Sequence, residues 1–131
     1  MRRIVVAIAL MASIGTSAQA QGREAATDPA NRADLQCLAV MAAGLGTQET
    51  GGETRMGLVG GIGYYLGRLE GRAPDVVWLD QLGDYLSGDF EAEFKAQSQR
   101  CGEEMIAFGA GLTAWSERMQ ALAAKTDGAK K

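Results

Sequence analysis

The stretch GLVGGIGYYLGRLEGR, Gly57 to Arg72, decides how the chain is read. Glycine stands at 57, 60, 61, 63, 67 and 71, a density familiar from phosphate-binding loops. Yet Leu58, Ile62, Tyr65 and Leu69 step by 4, 3 and 4 residues, which is one face of a helix and would be out of register in a strand. A Walker loop needs Gly-Lys-Ser/Thr at its end, and no lysine follows any of these glycines. A dinucleotide fingerprint needs a third glycine three residues after Gly63, where Leu66 stands instead. The stretch therefore reads as a helix.

That helix carries a second stripe, Gly60, Gly63, Gly67 and Gly71, beside the apolar face. Glycine inside a helix costs roughly 1 kcal/mol relative to alanine. The expected compensation is close packing of another backbone, either within the chain or from a second copy. Tyr64, Arg68 and Arg72 form the candidate partner patch, because Tyr64 and Arg68 are four apart and aromatic and arginine side chains are common interface anchors. The intramolecular alternative is an ion pair of Arg68 with Asp75 or Asp80. Gly71 is expected as the C-cap, with Pro74 blocking continuation.

Upstream, Asp28-Pro29 is a helix opening, a capping side chain followed by a proline whose missing N–H costs nothing in the first turn. Leu35, Leu38, Ala42 and Leu45 continue it, and Gly44 and Gly46 end it. Downstream, Asp75 can cap a short helix carrying Trp78, Leu82 and Tyr85 that breaks at Ser87-Gly88. The last helix has the longest period: Phe90, Phe94, Gln97, Cys101, Met105, Phe108, Leu112, Trp115, Met119 and Leu122 lie on one stripe. This places Cys101 on the core side of that helix. The expected fold is an all-α bundle of about four helices with one disulfide.

The two ends read differently. Residues 1–20 have a positive start at Arg2-Arg3, an apolar run from Ile4 to Ile14 and a small-x-small site at Ala18-Gln19-Ala20, the pattern of a secretory signal peptide. The run is too short to span a bilayer, which takes about 20 residues. Residue 21 is Gln rather than Cys, which argues against a lipid anchor. The chain is thus expected to be exported by the general route to the periplasm, with 21–28 a flexible leader, 29–124 the helical domain and 125–131 a polar tail. Arg55 and Arg68 flank only twelve uncharged residues, so no membrane span is expected after signal cleavage.

Cys37 and Cys101 are the only cysteines, and an even count in an exported chain predicts a structural disulfide. Two cysteines without histidine do not complete an ordinary zinc site, and the Cys-x-x-Cys redox spacing is absent. The chain has no histidine, which excludes His general-base chemistry and Ser-His or Cys-His nucleophile pairs. Glu103-Glu104 and Glu91 with Glu93 do not converge as a dyad on a helix, and Asp80, Asp84 and Asp89 lack calcium-loop spacing. The net charge is −3 and no basic run precedes the last residues, so nucleic acid is not an expected partner. No catalytic residue, metal site or cofactor is expected, and the protein is not read as an enzyme.

With Cys37, Tyr64 to Arg72 and Gln99-Arg100-Cys101-Gly102 in view, the chain resembles a group of small exported two-cysteine helical proteins of alphaproteobacteria that have no assigned function. More distantly it is similar in architecture to Rap1a/Tai-type immunity proteins, which bind a secreted toxin, and to HdeA-type acid-stress chaperones. The resemblance implies an exported helical domain and transfers no site residues. The reading that follows is a non-catalytic periplasmic protein acting by protein–protein binding, on an unidentified protein or a second copy of itself. The alternative is an acid-stress periplasmic chaperone of HdeA type. Any acid response would fall in the carboxylate range, about 3 to 5.

Overall fold

The structure, a computed structural model, describes residues 15–47 and 51–128. The described residues form five helices and no strand: α1 (Gly15–Thr27), α2 (Pro29–Gly46), α3 (Gly52–Arg72), α4 (Trp78–Ser87) and α5 (Phe90–Gly128). The all-α reading holds, with one helix more than expected. Most of the proposed signal segment, the connection at 48–50 and the last three residues lie outside the described part.

The extra helix is α1, which begins in the last six residues of the expected signal segment and continues through nearly all of the segment expected as a flexible leader, 21–28. It persists because it is tied down. The Asn31 side chain donates to the Ala25 carbonyl at 3.0 Å, and Gly22 is buried where a β-carbon would come within 2.8 Å of the Gln81 side chain. The polar tail is also helical as far as Gly128.

Helix α2 starts where its sequence says. Asp28 accepts hydrogen bonds from the backbone N–H groups of Ala30 and Asn31, satisfying two donors that the first turn leaves open. Its C-terminus is closed by Thr47, whose hydroxyl donates to Gly44 O at 2.7 Å. Helix α4 begins later than expected. Its N-cap is Val77 and no side chain caps it, so Asp75 does not perform that role. The α3–α4 turn is instead fastened by Trp78, whose indole N–H donates to Ala73 O at 3.1 Å. Gly71 lies in the last turn of α3, and Ala73 is the C-cap.

The chain divides into two compact units, residues 1–93 and 94–131. In the first, α2 is the centre, contacting α1, α3 and α4. It supplies Leu35, Cys37, Leu38, Ala39, Val40 and Met41 to the core, where Tyr65 and Leu69 of α3 and Trp78 and Tyr85 of α4 are also buried. The expected apolar face of α3 is therefore inward at Tyr65 and Leu69 and half-buried at Leu58 and Ile62. The second unit is the body of α5. Its one buried residue among those described is Cys101, which forms the Cys37–Cys101 disulfide.

Candidate functional site

Tyr64, Arg68 and Arg72 lie along one side of α3, and α2 presents Asn31 and Asp34 to that side. Asp34 falls on the buried stripe of α2, at helical spacing from Leu38 and Met41, and is 1% exposed. A carboxylate desolvated to that degree requires cationic partners. Arg68 supplies its Nε at 3.0 Å from Asp34 Oδ2, and Arg72 donates through Nη2 to the same oxygen. Arg72 also donates from Nε to Asn31 Oδ1 at 2.6 Å and from Nη2 to Ala30 O at 3.3 Å. The remaining edge of Arg68 donates to the Tyr64 hydroxyl at 2.9 Å, with its guanidinium carbon 5.1 Å from that ring's centroid.

The candidate patch is thus one assembly, but an internally engaged one. The partner of Arg68 is Asp34, not Asp75 or Asp80. A buried carboxylate on the core helix is a better electrostatic partner than an aspartate exposed to water, because the low local dielectric strengthens the pairing. Two guanidinium groups on one carboxylate leave this face with a residual positive charge. Both arginine side chains keep about a third of their surface exposed, at 38% and 34%.

The glycine stripe behaves differently from expectation. A β-carbon added at Gly60, Gly63, Gly67 or Gly71 would meet nothing within 4 Å among the described residues, and all four glycines are exposed. The stripe therefore makes no close helix–helix contact among the described residues. Close glycine contacts lie on α1 and α2 instead, at Gly22 against Gln81 and at Gly44, where a β-carbon would approach Leu58 Cδ2 to 3.1 Å. From the sequence, Gly44 is expected only to end its helix. Physically, the inward side of α3 is already filled by Tyr65 and Leu69, and the glycines occupy the opposite arc.

A second polar cluster joins α2, α4 and the start of α5. Glu93 accepts from the Tyr85 hydroxyl at 2.7 Å, from Gln36 Nε2 at 2.8 Å and from Arg32 Nη2 at 3.1 Å. Arg32 also reaches Asp89 at 2.9 Å and lies over the Tyr85 ring. The Tyr85 bond, then those of Gln36 and Arg32, hold the Glu93 carboxyl below its ordinary range against partial burial. Burial, followed by the negative charge of Glu93, pushes the Tyr85 phenol well above its ordinary value. A depression of about 550 Å³ beside this cluster is lined by Arg23, Gln81 and Asp84 as well as Arg32 and Tyr85. The acids and base of the cluster itself, Asp89, Glu93 and Arg32, are engaged with one another. Among the described residues no three acidic, cysteine or histidine side chains group as a metal site.

Sequence reasoning placed the last stripe of α5 against a core. Cys101 is buried, but further along Phe108 is 36% exposed, Leu112 52%, Trp115 54%, Met119 40% and Leu122 54%. The signal that separates the two cases was present. From Met105 the spacing is 3, 4, 3, 4, 3, the alternation of a coiled-coil seam rather than the wider stripe of a helix lying on a globular core. No helix among the described residues is long and apolar enough to cross a membrane. No protein-family model matches the chain, and neither a curated protein nor a solved structure matches it.

Proposed function

We propose that this protein is a non-catalytic, exported protein of the periplasm that acts by binding another protein surface through the Phe108–Leu122 stripe of α5. The observation that carries the reading is the exposure of that stripe. Five large apolar side chains lie in one row on a single helix, Leu112, Trp115 and Leu122 more than half exposed. Monomeric proteins rarely leave contiguous apolar patches of this kind uncovered. Trp and Met belong to the residue types enriched at the centres of interfaces. The disulfide and the sequence of residues 1–20 support the oxidising compartment. The Tyr64/Arg68/Arg72 face, held on Asp34, is assigned to architecture in this reading.

Photo-crosslinking in the cell tests it. A benzophenone side chain at Leu112 or Trp115 should form adducts with protein, and one at the exposed off-stripe position Ala121 should not. Equal labelling from both sides of the helix, or none from either, would remove the stripe as a binding face.

A further inference from the structure

We infer that the surface covering this stripe is α5 of a second copy, running antiparallel. The inference rests on reading the stripe as a binding face and adds the identity and direction of the partner.

The seam residues Met105, Phe108, Leu112, Trp115, Met119 and Leu122 alternate as a and d positions of a heptad. In an antiparallel pair each a residue lies beside a d residue of the other helix. One register matches all six at once: Met105 against Leu122 of the second copy, Phe108 against Met119, and Leu112 against Trp115. Each layer then joins unlike side chains, and neither Trp115 nor Phe108 meets its own counterpart. The centre of the pairing falls between Thr113 and Ala114, so the arrangement is a closed two-fold dimer.

The flanks select the same register. On one edge it brings Gly109 beside Ser116 of the second copy and Gly102 beside Ala123. These are small residues that let the two axes approach. On the other edge Glu104 meets Lys125 of the second copy, at both ends of the dimer, and Gly111 meets Arg118. Glu104 is half-buried and lies 3.8 Å from Arg100 on its own helix, and Lys125 is exposed. The remaining charges of this segment, Glu103 and Glu117, lie on the opposite side of the helix. A parallel pair would set Glu104 beside Gly109 and Arg118 beside Ala123, with no ion pair, and would stack Trp115 on Trp115. Charge complementarity thus favours the antiparallel dimer.

Sedimentation equilibrium of the purified disulfide-intact protein tests this. A dimer is expected, and Leu112→Glu with Trp115→Glu should raise its dissociation constant by more than about a hundredfold. The melting transition of that variant should persist, since both positions are exposed. Charge exchange tests the register. Glu104→Lys alone and Lys125→Glu alone should each weaken the dimer by about tenfold, from two like-charge contacts, and the two together should restore it. A monomer at every concentration would overturn self-pairing. Adducts to a different protein from Trp115 in the cell would then leave the binding face standing, and no adducts would remove both. A dimer insensitive to the Leu112/Trp115 variant, or one unmoved by charge exchange, would overturn the proposed seam or its direction.

Discussion

Helices α2 and α5 carry comparable apolar stripes and end in opposite states. Along α2 every residue from Cys37 to Met41 is buried, together with Asn31, Asp34 and Leu35. Along α5, more than twice as long, Cys101 alone is buried among the described residues, Met105 is half-buried, and the stripe from Phe108 to Leu122 is exposed. Hydrophobic spacing therefore fixes which side of a helix is apolar, and does not say whether that side is covered within the chain. What covers α2 is a set of neighbours on three sides, α1, α3 and α4. The two helices are joined by the Cys37–Cys101 bond.

The largest expected effect tests that covalent link. Cys37 and Cys101 close a loop of about 60 residues, so reduction should cost roughly 4 kcal/mol by loop entropy. The measurement is the urea midpoint with and without reductant, with free thiols counted. Because nothing is truncated, no cavity confuses the result. An unchanged midpoint in the fully reduced protein would mean that the link holds the helices without stabilising them.

Next comes the buried charge on α2. Asp34→Asn keeps the side chain's shape and removes the anion shared by Arg68 and Arg72. Breaking a buried pair from one side typically costs about 3 kcal/mol, because the charges left behind are unmatched. Asp34→Asn together with Arg68→Met should be milder than the single change. Equal losses would show that the cluster is not electrostatically coupled.

These residues also mark how far the sequence was legible. Asp28-Pro29, the Tyr65/Leu69 face and the cysteine pair act locally or through chemistry that leaves few alternatives, so they could be read directly. Asp34 was missed, although a carboxylate at helical spacing from Leu38 and Met41 was a signal that it needs a cation. Its partners stand more than thirty residues away, and only the packing of α2 on α3 identifies them. The glycines of α3 were misassigned for a related reason. Composition reports the absence of a side chain, and the space around it is a tertiary fact. The α1 helix was missed because its anchors, Asn31 and Gln81, belong to other segments.

The glycine stripe offers a smaller test with the opposite sign. With open space above Gly63 and Gly67, Gly67→Ala should raise stability by about 0.5–1 kcal/mol through reduced backbone entropy of the unfolded chain. Gly44→Ala should gain less, since its new β-carbon crowds Leu58. If Gly67→Ala instead loses stability in a concentration-dependent way, the stripe packs against a second copy. The contrast between a covered α2 and a solvent-facing α5 would then extend to α3.

The smallest effect concerns acid, and it probes the covered side of the comparison at its edge. Glu93 joins α2 to α4 through Gln36, Arg32 and Tyr85, and its carboxyl is held below the ordinary range. A group whose folded pKa is depressed contributes its full stabilisation above the unfolded value, about 4.3, and loses it as pH falls through the lower folded value. The stability difference between the parent and Glu93→Gln should therefore be constant from pH 7 to about 5 and shrink towards pH 3. Glu93 is partly exposed, so salt screening keeps the effect below those above. The seam positions of α5 carry no titratable side chain, so the dimer proposed for it is expected to outlast the Glu93 contribution in acid. A dimer lost in parallel with the Glu93 contribution would tie the two regions together, whereas a dimer outlasting it would show that the covered and the solvent-facing helices answer to different forces.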